Sequence, residues 1–248
     1  MLAIEPSPAR EFLSEFGKKL PRPDAIVIAS AHFETEIPAV VTDAQPDMIY
    51  DFGGFPDALY KIAYSAPGQP DIAMKVAELV HGAGFQTGVI SRRGFDHGTW
   101  VPLSLMYPDA DIPVVQLAIQ PHLGTAHHVA LGRALTELKD QNIMVIGSGS
   151  ATHNLREFYT HRHMKPGEAP PWVKEFDDWV RARVQEGDTE GLVDYRKLAP
   201  HAARNHPTEE HFVPLHVAVG AAGEGAKGEL VHSSYANGVL SMDAYVFH

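Results

Sequence analysis

Cysteine is absent from the 248 residues, which removes disulfide scaffolds, thiolate zinc sites, iron–sulfur clusters and cysteine nucleophiles together. Any metal must therefore be held by nitrogen and oxygen. Long apolar runs are missing as well: stretches such as Ala25-Ile26-Val27-Ile28-Ala29 fall far short of the roughly 18 residues a bilayer span needs. The first residues, Met1-Leu2-Ala3-Ile4-Glu5-Pro6, lack the basic-then-apolar order of a secretion signal, so a cytoplasmic location is the default expectation. Positive charge is scarce. With a formal net charge of -11 and no run of Lys and Arg, the chain would repel a phosphate backbone, and neither nucleic acid nor membrane is expected as a partner. There is no His-Glu-x-x-His segment, no Gly-x-Ser-x-Gly and no Gly-Lys-Ser/Thr after a glycine-rich loop, so zinc-protease, serine-hydrolase and P-loop chemistry lose their usual signatures.

What is present is the composition of a folded protein, 44% hydrophobic and 21% charged, read as one domain over residues 1–248. Short Val- and Ile-rich runs predict buried strands at Ala25 to Ala31, Ile112 to Ile119 and Ile143 to Gly147, with a weaker one at Ala39 to Thr42. Leu230 to Tyr235 and Val239 to Phe247 predict a strand pair around Asn237-Gly238. Helical spacing covers Asp71 to His81, Ala126 to Lys139 behind a Thr125 cap, and Trp172 to Gln185. A fourth helix is predicted from Glu209 to about Ala222, capped by Thr208 and kinked at Pro214. The segment from Tyr159 to Pro171 reads as a surface loop or lid. Strands alternating with helices predict an α/β sheet flanked by helices, in which ligands gather beyond the carboxyl ends of strands.

Four of the 15 histidines lie in short segments with the character of strand ends or turns. They are His32 in Ser30-Ala31-His32, His97 in Gly94-Phe95-Asp96-His97-Gly98-Thr99-Trp100, His153 after Gly147-Ser148-Gly149-Ser150-Ala151-Thr152, and His211 in Glu210-His211-Phe212-Val213-Pro214. Imidazole binds first-row metals when neutral and moves protons near neutral pH, so their convergence would make a metal-catalytic centre. Each also has an ordinary reading: His32 satisfied by a backbone carbonyl, His97 in a turn, His153 in a flexible connection, His211 on the first turn of a helix. His81, His122, His127 and His128 are expected at the surface. His161 and His163 resemble a chelating pair without an obvious partner, and His206 and His216, each five residues from His211, share no helix face with it.

At these residues the chain resembles the class III extradiol ring-cleavage dioxygenases, in particular the DOPA-4,5-dioxygenase type. The resemblance also runs through Leu20-Pro21-Arg22-Pro23-Asp24, Tyr50-Asp51-Phe52-Gly53-Gly54-Phe55-Pro56, Ala66-Pro67-Gly68, Met106-Tyr107-Pro108-Asp109 and His153-Asn154-Leu155-Arg156. It implies an α/β fold with a mixed central sheet flanked by helices and a divalent metal at one end. It further implies His32 and His211 as metal ligands, His153 as a ligand or as the catalytic acid/base, and His97 as a catalytic or substrate-contacting histidine. Fe(II) is implied for activity, with Zn(II) possible as the bound metal; the implied partners are a small aromatic diol and O2, and the implied product is a ring-opened semialdehyde. Arg156 would pair with a substrate carboxylate, and Trp100, Tyr50 and Phe52 would pack against the ring, although each is equally a candidate for the core. The family carries one more metal-binding histidine in a His-Gly-Ser-Pro segment just ahead of the residues matching Met1-Leu2-Ala3-Ile4. Either the natural protein is longer or its metal site lacks that ligand. Two rivals follow: a metal-poor member acting as a binding or regulatory protein, and a zinc-bound hydrolase.

Overall fold

The computed structural model describes residues 2–165 and 167–248; Met1 and the Pro166 position of the expected lid segment lie outside them. The chain forms two compact units, one running up to Gln120 and including Glu137–Ser148, the other made of Pro121–Thr136 and Gly149–His248.

The first unit is built on a five-stranded sheet of β1 (Ala25–Glu34), β2 (Ala39–Val41), β3 (Gly88–Ile90), β4 (Val114–Ile119) and β5 (Ile143–Ser148), in the order β3-β2-β4-β1-β5. The sheet is mixed. β1 runs parallel to β4 and β5, β2 is parallel to β3, and only β2 and β4 run antiparallel, through Val40 and Leu117. The interior strand β1, between β4 and β5, is apolar on consecutive residues because both of its faces are covered, and its register with β5, Ser30 opposite Ser148, brings the carboxyl ends of both strands to one edge.

Three helices accompany this sheet: α1 (Pro8–Lys19), α2 (Pro70–Gly82) and α3 (His97–Met106). The sequence predicts only α2 of these. The stretch from Gly94 to Gly98 reads as a tight loop around His97, yet α3 starts within it although Gly98 and Pro102 both disfavour helix, and the Asp96 side chain caps it by accepting the Thr99 N–H at 3.0 Å. Pro102 has no N–H to give the carbonyl of Gly98, four residues earlier. That carbonyl takes the Ser148 hydroxyl instead. Trp100, Phe95, Leu103, Ile26 and Ile28 form the buried core between helix and sheet.

The second unit is mainly helical: α4 (Gly124–Arg133), α5 (Leu155–His161), α6 (Pro171–Glu186), the short α7 (Thr189–Val193), α8 (Tyr195–Leu198) and α9 (Ala202–Asn205), and α10 (Val213–Ala222). Phe176, Val180, Tyr195 and Phe212 anchor its core. α4 and α10 cross with backbone against backbone: a side chain at Gly132 would overlap the Val217 carbonyl, and one at Gly220 the Val129 carbonyl. The expected C-terminal strand pair is split in two, β6 (Gly228–His232) with β9 (Ala244–Phe247) and β7 (Tyr235–Ala236) with β8 (Leu240–Ser241). Asn237 and Gly238 make its turn, both with positive φ, 52° and 73°.

Two helix starts differ from expectation. Thr125 lies inside α4, its hydroxyl donating to the Val193 carbonyl at 2.7 Å, and the continuous helix stops at Arg133, followed by a 3-10 stretch over Thr136–Gln141. α10 begins at Val213, so Pro214 opens the helix where its missing N–H costs nothing, and no kink arises. His211 therefore lies in the turn before the helix. Thr208 does not cap it; its hydroxyl donates to Glu210 Oε1 at 3.0 Å.

Candidate metal centre

His32, near the carboxyl end of β1, is held through its backbone. Its N–H donates to the Ser30 hydroxyl at 3.2 Å, and its carbonyl accepts the Arg93 guanidinium at 3.0 Å. The same guanidinium reaches Asp96 Oδ2 at 2.9 Å and lies 4.0 Å above the Phe33 ring. Asp96 also accepts the Ser30 hydroxyl at 2.7 Å. One buried carboxylate thus ties the strand tip carrying His32 to the first turn of α3, which begins with His97. Gly98 makes this approach possible, because a side chain there would overlap the Ser30 hydroxyl.

The rings of His32 and His97 are 3.9 Å apart between centroids. Asp51 faces both: its Oδ1 accepts the His97 backbone N–H at 2.9 Å and lies 2.9 Å from His97 Nδ1, while Oδ2 is 3.6 Å from His32 Nδ1. The contact to His97 Nδ1 is close but does not meet hydrogen-bond geometry. Burial works against charge on Asp51, but the nearby His97 ring and the His97 backbone N–H outweigh it and hold the carboxyl down at about 2. Ligand atoms of His32, Asp51 and His97 all lie within 4.8 Å of one another.

A second group occurs in the other unit. The Gly149–His153 loop is stitched to the His211 turn by the Ser150 N–H on the His211 carbonyl at 2.8 Å, and to Asn205 by the His153 N–H on its carbonyl at 3.1 Å. No side chain fits at Gly149 without overlapping that His211 carbonyl. The imidazoles of His153 and His211 consequently stack 3.5 Å apart and 6° from parallel. Glu210 Oε1 lies 3.0 Å from His211 Nδ1. That bond, opposed by burial and aided by the Thr208 hydroxyl, brings the Glu210 carboxyl down to about 2. His153, Glu210 and His211 again offer ligand atoms within 4.8 Å of one another.

Other predicted residues lie elsewhere. Trp100 is fully buried, its indole donating to the Ile49 carbonyl at 3.3 Å, so it has no face open to a ligand. It backs Tyr50 and Phe52 instead, and the Phe52 ring is 5.6 Å from that of His97. Arg156 is exposed in the first turn of α5, whose Asn154 cap accepts its N–H at 3.0 Å. His161 sits at the end of α5 with Nδ1 3.0 Å from the Glu157 carbonyl. His128, expected at the surface, is buried against the Gly124 carbonyl at 2.7 Å. With the fully buried His206 and His216 it belongs to the core. Desolvation drives His128 and His206 down to about 3, which keeps both rings neutral.

Asp51 and Glu210 escaped the sequence reading. Glu210 precedes His211 directly, a visible signal; Asp51 is far from His97 in the chain, and only folding reveals the pairing. Among the described residues no helix is long and apolar enough to cross a membrane.

Comparison with known proteins adds to this geometry. The family model for the catalytic LigB subunit of aromatic ring-opening dioxygenase matches residues 7–248. A 4,5-DOPA dioxygenase extradiol of Beta vulgaris is 45% identical over 257 residues, covering 100% of this chain and 92% of the relative. Its counterpart of the same name in Portulaca grandiflora is 43% identical, with 100% and 91% covered. The crystal structure of an uncharacterized protein from Escherichia coli K12 superimposes with a TM-score of 0.80 at 33% identity, over 95% of this chain and 91% of that one.

Proposed function

As a member of the LigB family of class III extradiol dioxygenases, the chain is a non-haem, metal-dependent oxidoreductase that opens the ring of an aromatic diol, and from that premise we propose that its metal is iron(II), that His32 in the first unit and His153 and His211 in the second are metal-binding histidines, and that its diol is a DOPA-like catechol. What supports a metal is the gathering of imidazole and carboxylate ligand atoms within 4.8 Å in two groups, His32 with Asp51 and His97, and His153 with Glu210 and His211. Nitrogen and oxygen donors without thiolate suit iron(II) and zinc(II) alike, and only iron supplies the redox chemistry that dioxygen requires. Iron bound by such nitrogen and oxygen donors would supply the Lewis-acid and redox chemistry that attack of dioxygen on an aromatic diol requires.

The protein's own residues do the rest. His97, with Nδ1 turned to Asp51, takes a phenolic proton from the diol at Nε2, and His153 serves as a ligand or, left uncoordinated, as the acid/base of the later proton transfers. Phe52 meets the ring while Trp100 supports it from behind, and the exposed guanidinium of Arg156 pairs with the substrate carboxylate. The names of the relatives from Beta vulgaris and Portulaca grandiflora favour DOPA.

The test is anaerobic loading of the full chain with iron(II) or zinc(II), followed by oxygen and a panel of DOPA, protocatechuate and catechol. Oxygen uptake with DOPA is expected in the iron form alone. Absence of uptake with every diol overturns the assignment, and equal rates with zinc overturn the iron. Arg156→Met should raise KM for the carboxylated diols about 10-fold or more, the loss of one charge-assisted contact, and leave catechol unaffected; equal effects remove the pairing.

A further inference from the structure

Asp51 faces two histidines. One oxygen holds His97 by its backbone N–H and faces its Nδ1, each at 2.9 Å, and the other oxygen faces His32 Nδ1 at 3.6 Å. The two rings lie in contact with each other, and the Asp51 side chain is mostly covered, 22% exposed. A carboxylate facing Nδ1 of an imidazole favours the proton on that nitrogen over Nε2, here by its charge rather than through a hydrogen bond, since one contact is 3.6 Å and the other lacks bonding geometry. The backbone bond matters as much as the side-chain contacts, since it fixes the carboxylate relative to the first turn of α3.

We propose that Asp51 is a positioning residue that sets His32 and His97 in the same Nδ1–H tautomer, so that one carboxylate prepares both the metal ligand and the proton-accepting ring. This rests on His32 being a ligand, as argued above. The alternative role for Asp51, direct ligation among the three clustered side chains, would require a cation to displace the Nδ1 proton of His97 and to take over an oxygen already engaged by the His97 backbone.

The experiment titrates cobalt(II) into metal-free full-length protein and its Asp51→Asn, Asp51→Glu and His32→Ala variants, following affinity and the visible absorption of the ion. Asparagine keeps an acceptor for the His97 N–H but removes the charge and offers its own N–H to a ring. Asp51→Asn should weaken cobalt binding about 10- to 100-fold, the usual effect of removing a carboxylate behind a metal-binding histidine, with the absorption envelope unchanged. Asp51→Glu should recover most of that affinity. In the iron form, Asp51→Asn should lower kcat more than it raises KM. Unchanged affinity in Asp51→Asn overturns the inference, and an altered absorption envelope makes Asp51 a ligand instead. If His32→Ala binds cobalt as well as the parent, the ligand assignment itself fails; if it loses the metal while Asp51→Asn does not, only the positioning role falls. Should Asp51→Asn not fold, histidine 15N shifts of the metal-free parent decide the matter. Protons on Nδ1 of both His32 and His97 are expected, and a proton on Nε2 of either overturns the proposal.

Discussion

In the first unit the histidines stand on a sheet strand and the start of a helix, and buried charge braces them: Arg93 grips the His32 carbonyl and Asp96, and Asp96 caps α3. In the second unit they stand on loops, and the bracing comes from the backbone, with the Ser150 and His153 N–H groups bonded to the carbonyls of His211 and Asn205. Both arrangements bring imidazole and carboxylate atoms within 4.8 Å. The first group should therefore fail when a charge is lost and the second when a main chain is displaced, although their ligand chemistry is nearly the same.

The strongest way to break this contrast is Arg93→Met. Asp96, with its side chain 1% exposed, would be left as a buried charge without its cation, a loss of about 3–5 kcal/mol. Urea unfolding should show it, and Arg93→Met combined with Asp96→Asn should recover part; a loss under about 1 kcal/mol would mean that Arg93 braces little. Gly149→Ala comes next. The new methyl meets main chain rather than a yielding side chain, so about 1–3 kcal/mol should be lost, together with the close His153–His211 stacking. Thermal denaturation and the histidine ring resonances report the two effects separately, and a fully stable variant with unaltered resonances would refute the backbone bracing.

The smallest effect concerns pH. Glu210 is held below its ordinary range by the His211 ring, so its stabilising contribution is complete above the unfolded value of 4.5 and fades as pH falls toward about 2. Stability of the parent should thus drop more steeply over that acid window than that of Glu210→Gln. Asp177 behaves oppositely. Burial and the neighbouring Asp243 push its carboxyl upward, even though Tyr235 and Arg181 donate to it. Its contribution is present in acid and is lost as pH rises past the ordinary carboxylate range. Asp177→Asn should then gain stability relative to the parent between pH 4 and pH 8; a relative loss over that interval reverses the sign.

Much of the frame is legible in the sequence because continuous apolar runs such as Ala25 to Ala31 have few alternatives to a buried strand. His32, His97, His153 and His211 are legible for a related reason: each stands beside glycine, proline or serine residues that mark the ends of elements. α3 is hidden because Gly98 and Pro102 oppose its helical propensity, and its stability comes from the Asp96 cap and the Ser148 hydroxyl, a contact that exists only after β5 has paired. The position of His211 before α10 turns on a proline that permits a helix to start as readily as it bends one. Trp100 illustrates a further limit, since an aromatic residue beside a candidate site serves equally well as lining or as filling, and only its burial decides.

The glycine-on-glycine crossing of α4 and α10 has a consequence for engineering. α10 starts two residues after His211 and meets α4 at Gly220, about two turns further on, so the axial setting of that helix is locked like a key in a ward, and the His211 turn inherits it. Mutant libraries confined to the neighbourhood of the imidazoles would leave this lock alone, whereas one added methyl at Gly132 or Gly220 would slide the whole lever on which His211 is mounted.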